Sequence, residues 1–148
     1  MPITIRIATE GDLRAVVTLL GELHDPPDSL PDPHVWRSML AQEGRTILLA
    51  AVDGEPAGTA DMWVSPNLTY GARPRASVEN VAVDAAHRRH GVGRALMREV
   101  ERRALDAGCY KVQLMSAIRR EGAHRFYEDL GYERVAVGFR KYFGGVRR

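Results

Sequence analysis

Residues 78–94 read VENVAVDAAHRRHGVGR and place an apolar strand pattern, a short glycine-containing connection and the start of a helix in immediate succession. Backbone N–H groups converge where such a loop opens a helix, and the helix dipole adds positive potential at the same point. Basic side chains lie in or just after the loop, at Arg88, Arg89, His90 and Arg94. The stretch therefore predicts an anion site, for which phosphate is the usual ligand.

The glycine spacing excludes two common phosphate loops. A P-loop separates its glycines by about four residues and ends in Lys-Ser/Thr, whereas Gly91 and Gly93 enclose one residue and precede Arg94. A dinucleotide-binding fingerprint requires a third glycine where this chain has Leu96. The remaining pattern, Arg-x-x-Gly-x-Gly, resembles the coenzyme A pyrophosphate loop of the GNAT superfamily of N-acetyltransferases. A turn that opens a helix with a solvated basic face is the alternative interpretation.

A second motif strengthens this resemblance. Residues 123–132, AHRFYEDLGY, are similar to the superfamily segment Ala-x-x-Phe-Tyr-x-x-x-Gly-Phe/Tyr. They follow the loop of residues 88–93, called the glycine loop below, after one predicted helix and one predicted strand. The resemblance extends over residues 3–143 and is sharpest over residues 78–132. The chain departs from the pattern at Arg120, where many superfamily members carry an asparagine.

Composition narrows the function classes. The chain has 148 residues, of which 45% are hydrophobic and 27% charged, and this predicts one domain over residues 1–148. A net charge of +2 gives no support for nucleic acid. The single cysteine, Cys109, forms no internal disulfide or multi-cysteine metal site, so a reducing cytoplasm and no metal are expected. No apolar run has membrane-spanning length, and the first residues lack a signal-peptide pattern, so no membrane association is expected.

Periodicity predicts the element order β-α-α-β-β-β-α-β-α-β-β. Thr9 and Asp12 resemble a capping box at the first helix, and Asp53-Gly54 is a hairpin signal. The predicted strands cover residues 3–7, 46–52, 56–64, 75–83, 110–116, 133–137 and 139–143, and the later helices cover 34–42, 94–107 and 122–130. The crossover helix after Gly93 requires the strands on either side of it to be parallel.

This arrangement is a mixed α/β fold, and it matches the GNAT superfamily element by element. The resemblance implies a mostly antiparallel central sheet, a parallel strand pair splayed around the cofactor, and helices on both faces. It also implies acetyl-coenzyme A as co-substrate and a single N-acetyltransferase domain. A homodimer is the assembly often found among small enzymes of this superfamily.

Acetyl transfer requires a neutral amine, although a lysine-like ammonium has a pKa of ~10.4 in water. Glu79 is the candidate base, directly or through water, because superfamily members often carry a carboxylate on this strand. Strict alternation would place Glu79 on one strand face with Val81 and Val83. A surface or ion-paired glutamate is the alternative interpretation, and Asn80 is a second candidate for the base.

The leaving group is a thiolate whose conjugate thiol has a pKa of ~8.5, and a positioned O–H can protonate it. The resemblance implies that Tyr127 is this general acid. A tyrosine packed against the sheet with its hydroxyl at the edge is the alternative. His124 is interpreted as a helix-surface residue rather than as a base.

The resemblance also implies the cofactor-binding residues. Backbone groups of the strand before the loop would pair with the pantetheine arm, and the loop would hold the pyrophosphate. The implied set is Val81, Ala82, Val83, Arg88, Arg89, His90, Gly91, Val92, Gly93, Arg94, Arg120, Ala123 and Phe126.

The acceptor is expected to be a small-molecule amine, because both motifs are similar to those of glucosamine-phosphate and aminoalkylphosphonate acetyltransferases. Residues 24–28 and 63–75 are expected to form the acceptor wall, where Arg73 and Arg75 would attract an anionic group. The alternatives are a protein N-terminus or lysine as acceptor, a non-catalytic acyl-coenzyme A sensor, and, ranked last, a nucleic-acid-binding domain.

Overall fold

The computed structural model describes residues 2–146. The chain divides into two compact units, Met1–Leu114 and Met115–Arg148. In the first unit the elements are β1 (Ile3–Ile7), α1 (Leu13–Leu20), α2 (Pro33–Ala41), β2 (Arg45–Val52), β3 (Glu55–Ser65), β4 (Arg75–Val83), α3 (Val92–Asp106) and β5 (Val112–Leu114). The second unit contains α4 (Glu121–Asp129). Short 3-10 turns lie at Glu10–Asp12, Tyr70–Ala72 and Ala85–His87.

The strands form one sheet in the order β1-β2-β3-β4-β5. Neighbouring strands from β1 to β4 are antiparallel, and β4 pairs with β5 in parallel. The hairpin between β2 and β3 turns at Asp53 and Gly54, which both have positive φ values, 50° and 82°, as a primed two-residue turn requires. The mixed α/β class, the mostly antiparallel sheet and the parallel pair are thus confirmed.

Helices cover both faces of the sheet, as predicted. On one face α3 packs so closely that a Cβ added at Gly58 of β3 would lie 2.8 Å from Val92 Cγ1 and 3.0 Å from Leu96 Cδ1. On the other face α1 and α2 enclose a second apolar cluster of buried residues, Ala8, Val16, Leu19, Trp36, Ile47 and Leu49. The Trp36 indole N–H donates to the carbonyl oxygens of Thr9 and Glu10, which fixes α2 against the start of α1.

The predicted capping box before α1 is present. The Asp12 carboxylate accepts hydrogen bonds from the Thr9 amide at 2.7 Å and from the Thr9 hydroxyl at 3.0 Å. Arg6 of β1 binds both oxygens of the same carboxylate, at 2.6 and 2.9 Å. These hydrogen bonds, the one from Arg6 above all, hold the pKa of Asp12 well below its ordinary value.

Replacing Asp12 with alanine is expected to lower the free energy of unfolding by about 1 kcal/mol at pH 7, the usual cost of losing a helix cap. The lowered pKa means that this stabilisation is present above the unfolded-state pKa of ~3.9 and is lost as the pH falls below it. Urea denaturation at pH 7 and pH 3 measures both effects. The control is Glu10→Ala, which removes an exposed pair with Arg37 and should cost less than about 0.5 kcal/mol. Wild-type stability of Asp12→Ala at pH 7 would contradict the prediction.

The prediction of two closing strands is wrong. Residues 133–143 contain no strand, and the side chains of Val135, Val137 and Phe139 are exposed. The sequence has the alternation of a strand, but a strand requires a hydrogen-bonded partner, and no described residue pairs with this segment. The predicted strand 110–116 is shortened to Val112–Leu114 for the same reason, because only these residues pair with β4. Within residues 2–146, no helix combines the length and the apolar character needed to cross a membrane.

Candidate active site

The parallel pair of β4 and β5 is short, and β4 continues alone on that side. The pairing joins Ala76, Ser77 and Val78 to the three residues of β5 and ends there. β4 runs on from Glu79 to Val83, paired only with β3 among the described strands. The backbone N–H and C=O groups on this free edge therefore have no partner strand among the described residues, and an extended ligand can bind them as a neighbouring strand would.

A β-bulge interrupts β4 within this free edge. Glu79 lies opposite Asp61 and Ala82 opposite Thr59, so Asn80 and Val81 together face one residue of β3. Asn80 adopts the left-handed conformation with φ 54°. Bulges re-aim side chains and backbone groups and are common next to active sites. Sequence alternation gave no sign of this bulge.

The bulge decides which backbone groups of β4 point to the free edge. The Ala76 amide donates to Lys111, on the β5 side, and the Asp84 amide donates to Ala57 of β3. Without a bulge these two even-numbered residues would point the same way, because backbone direction alternates along a strand. After the bulge, the backbone N–H and C=O groups of Val83 point to the free edge, and those of Ala82 point to β3. In agreement, the Val83 carbonyl accepts a hydrogen bond from Arg88 Nε at 3.4 Å.

Glu79 is exposed and lies directly opposite Asp61. Asp61 itself is buried and forms a two-pronged ion pair with Arg45, with distances of 2.6 and 3.0 Å. Glu79 forms no ion pair with any described residue, so its carboxylate is available to a ligand. The prediction that Glu79 shares a strand face with Val83 is wrong, because the bulge shifts the alternation by one residue. Glu79 shares the face of Thr59 and Ala82, on which α1 and α2 pack.

The glycine loop opens α3 as predicted. Gly91 is the N-cap residue with φ 88°, and Arg89 also lies in the left-handed region with φ 64°. The first helical hydrogen bond runs from the Ala95 amide to the Gly91 carbonyl, so the amides of the first turn have no acceptor within the helix. The side chains of Arg89, His90 and Arg94 are exposed around this terminus, whereas that of Val92 is buried against the sheet, leaving Val92 only its backbone for a ligand.

Glu22 also belongs to this region, although sequence reasoning did not find it. Its carboxylate accepts hydrogen bonds from the Ala85 amide at 3.2 Å and from Arg88 Nη2 at 2.7 Å. Glu22 follows α1 and is 66 positions away from Arg88 in the sequence. No local pattern connects residues so far apart, so only the tertiary structure could reveal this contact.

In the second unit, Tyr127 lies half-buried on α4. Its ring makes edge contacts with Phe126, at 5.0 Å between centroids, and with Tyr132, at 6.0 Å. Burial raises the pKa of the Tyr127 hydroxyl above its ordinary value, and the positive charge of Arg120 opposes this only in part. The phenol therefore remains protonated at neutral pH, as a proton donor must be.

The neighbours of Tyr127 are placed as follows. Arg120 is the exposed N-cap residue of α4, and Ala123 and Phe126 are half-buried. His124 is half-buried rather than a surface residue, and its Nε2 lies 2.8 Å from the Ala117 carbonyl oxygen. Its Nδ1 is buried without a hydrogen-bond partner among the described residues.

The expectation that Arg73 attracts an acceptor anion is not supported. Arg73 donates to the carbonyl oxygens of Gly108 and Cys109, just beyond the end of α3, where a cation meets the negative end of the helix dipole. Burial raises the pKa of the Cys109 thiol, which keeps it protonated. Within residues 2–146, no cluster of three or more histidine, cysteine, aspartate or glutamate side chains is arranged to hold a metal ion.

Comparison with known proteins shows similarity to acetyltransferases. The profile of the "Acetyltransferase (GNAT) family" matches residues 13–132. Glucosamine 6-phosphate N-acetyltransferase of Trypanosoma brucei brucei is 31% identical over 134 residues, covering 86% of this chain and 87% of that protein. Aminoglycoside N(6')-acetyltransferase type 1 of Stenotrophomonas maltophilia is 32% identical over 133 residues, covering 88% and 86%.

One solved structure is similar to this protein over nearly the whole length of both chains. The putative acetyltransferase from Agrobacterium tumefaciens str. C58 superimposes with a TM-score of 0.88 at 37% identity, covering 95% of this chain and 99% of that one. Both the sequence and the fold that contain the free β4 edge, the bulge and the glycine loop are therefore similar to those of acetyltransferases. The chain belongs to the GNAT family of acetyltransferases, and it is an acetyl-coenzyme A-dependent N-acetyltransferase.

Proposed function

We propose that this enzyme transfers the acetyl group of acetyl-coenzyme A to a primary amine of a small molecule. One observation carries the proposal: the unpaired, bulged edge of β4 leads directly into the free amides at the start of α3. An extended arm that ends in a pyrophosphate is the ligand that such an arrangement fits, because the edge pairs with amides of the arm and the helix start binds the anion.

The coenzyme would be held by three kinds of group. The backbone of Val81 and Val83 would pair with the pantetheine arm, and an amide at the bulge would polarise the thioester carbonyl. The amides of Gly91, Val92 and Gly93 would bind the pyrophosphate, with Arg88, Arg89, His90 and Arg94 supplying positive charge. Arg120, Ala123 and Phe126 of the second unit complete the proposed set.

Glu79 would take the proton from the attacking amine, directly or through a water. This role is supported by the exposed position of Glu79 on the strand that carries the free edge. No residue among 2–146 forms an ion pair that would occupy its carboxylate. Tyr127 would donate a proton to the departing thiolate, and its raised pKa keeps that proton available at neutral pH.

The small-molecule acceptor is supported by relatives rather than by the loops of this chain. Two relatives whose names specify glucosamine 6-phosphate and an aminoglycoside as substrates each align with more than four-fifths of the chain. Glucosamine 6-phosphate is an amino sugar and aminoglycosides contain amino sugars, so an amino sugar is the first acceptor class to test. A protein N-terminus or lysine is the second candidate.

A thiol-release assay tests the function. Purified protein would be mixed with acetyl-coenzyme A and with glucosamine 6-phosphate, an aminoglycoside, a peptide N-terminus or a lysine peptide in separate reactions. Amine-dependent release of coenzyme A with an amino sugar, and less with peptides, is the expected result. Preference for peptides would overturn the acceptor assignment. Tight coenzyme binding without release on any amine would favour the non-catalytic sensor.

Replacing Glu79 with glutamine is expected to lower kcat about 100-fold at pH 7, the lower end of the range for loss of a general base. Glutamine keeps the size of the side chain but cannot accept the proton. The dissociation constant for acetyl-coenzyme A should remain within about twofold of wild type. Glu55→Gln, at the exposed start of β3, is the matched control and should leave kcat unchanged. Wild-type turnover in Glu79→Gln would exclude Glu79 as the base.

A further inference from the structure

One carboxylate joins the end of α1 to the connection between β4 and α3. Glu22 Oε1 accepts a hydrogen bond from the Ala85 amide at 3.2 Å, and Glu22 Oε2 accepts one from Arg88 Nη2 at 2.7 Å. The Glu22 side chain is only 26% exposed. Glu22 therefore holds both Ala85, the first residue of the turn Ala85–His87, and Arg88, the first residue of the glycine loop.

The same contact orders the Arg88 guanidinium. Arg88 donates from Nη2 to Glu22 and from Nε to the Val83 carbonyl on the free edge of β4. An arginine that is free in solution loses side-chain entropy when it binds a ligand, and one that is already oriented loses less. A guanidinium has five N–H donors, and no described residue accepts a hydrogen bond from Arg88 Nη1. That nitrogen can still donate to a phosphate oxygen.

The rest of the connection is fixed independently. The Asp84 amide donates to the Ala57 carbonyl of β3 at 2.9 Å, and the Asp84 carboxylate lies 2.8 Å from His87 Nδ1. Removing the Glu22 side chain therefore leaves the turn attached to the sheet. Only the hydrogen bonds of the Ala85 amide and of Arg88 to the Glu22 carboxylate are lost. This separation makes a binding effect distinguishable from unfolding.

We propose that Glu22 is a positioning residue for coenzyme binding, which orders Arg88 and the turn before the glycine loop in advance of the ligand. The inference rests on the proposed pyrophosphate site. The opposite effect on binding is also conceivable in physical terms, because the negative charge of Glu22 lies beside a proposed site for an anion and would repel it. If repulsion outweighed ordering, removing its charge would tighten coenzyme binding.

Isothermal titration with coenzyme A and steady-state kinetics test the proposal on the full chain. Glu22→Ala is expected to raise the dissociation constant of coenzyme A and the KM for acetyl-coenzyme A about tenfold, which is the contribution of one charge-assisted hydrogen bond from an ordered Arg88 to the phosphate. The kcat at saturating acetyl-coenzyme A should stay within about twofold of wild type. Glu22→Gln should lose less, because the amide oxygen still accepts from the Ala85 amide.

A double-mutant cycle with Arg88→Ala isolates the pair. In an Arg88→Ala background, Glu22→Gln should change the dissociation constant less than about twofold, since no guanidinium remains to be oriented. Glu10→Ala, which breaks the exposed pair with Arg37, is the control and should bind as wild type does. If Glu22→Ala does not fold, Glu22→Gln and the cycle carry the test.

The outcomes separate this inference from the proposed function. If wild type binds coenzyme A and both Glu22 variants bind equally well or more tightly, the positioning role is overturned and the coenzyme site stands. A fall in kcat with an unchanged dissociation constant would also overturn it. If wild-type protein gives no binding heat, the coenzyme site itself is wrong and the inference falls with it.

Discussion

Replacing Tyr127 with phenylalanine is expected to lower kcat about 100-fold or more while KM for acetyl-coenzyme A stays near the wild-type value. The substitution removes one oxygen and leaves the ring contacts with Phe126 and Tyr132 intact. Packing of α4 should therefore persist, and the lost oxygen is the proposed proton donor to the leaving thiolate. Single-turnover and steady-state release of coenzyme A measure the effect.

The matched control is Tyr110→Phe, whose ring stacks on Tyr70 at 4.3 Å and should keep doing so without its hydroxyl. Its turnover should equal that of wild type. Because burial raises the Tyr127 pKa above the ordinary value of ~10, wild-type kcat should show no loss from Tyr127 between pH 7 and about 9. A Tyr127→Phe enzyme that retains kcat within twofold would remove Tyr127 from the mechanism.

Substituting Gly91 is expected to weaken coenzyme A binding at least about 100-fold, because a side chain there would hold the ligand away from several charge-assisted hydrogen bonds. Gly91→Val also strains the backbone, since φ is 88° and the left-handed region costs about 1–2 kcal/mol for a residue with a Cβ. Gly91→Asn separates the two effects, because asparagine tolerates this region. A Cβ at Gly91 meets only Ile3 Cδ1, at 3.8 Å, so the protein itself has room for it.

Calorimetry with coenzyme A and thermal unfolding of the same samples distinguish lost binding from lost fold. Gly93→Val, on the helical backbone of α3, should fold and bind weakly. Gly54→Asn is the control, because Gly54 has a similar φ of 82° in the β2–β3 turn, with open space around it. Native-like binding by folded Gly91→Asn would count against the loop as the pyrophosphate cradle.

Local patterns predicted those parts of the chain whose physics is local. The capping box at Thr9 and Asp12, the turn at Asp53 and Gly54, and the glycine-opened α3 each depend on residues a few positions apart, and each is present. The last two predicted strands failed because alternation states which residues could face a core but not whether a partner strand is present to receive them.

By itself, the sequence determined the family and the position of the glycine loop, because conformational demands on glycine and helix starts act over a few residues. Only the tertiary structure decided the bulge at Asn80. This bulge directs the backbone groups of Val83 to the free edge of β4, and it places the side chains of Val83 and Glu79 on opposite faces of the sheet. The tertiary structure also decided the hydrogen bond from Arg88 to the Glu22 carboxylate. Both arise from pairing between distant segments, where hydrogen bonds across the sheet and between α1 and the loop select one register, and no local pattern records that choice.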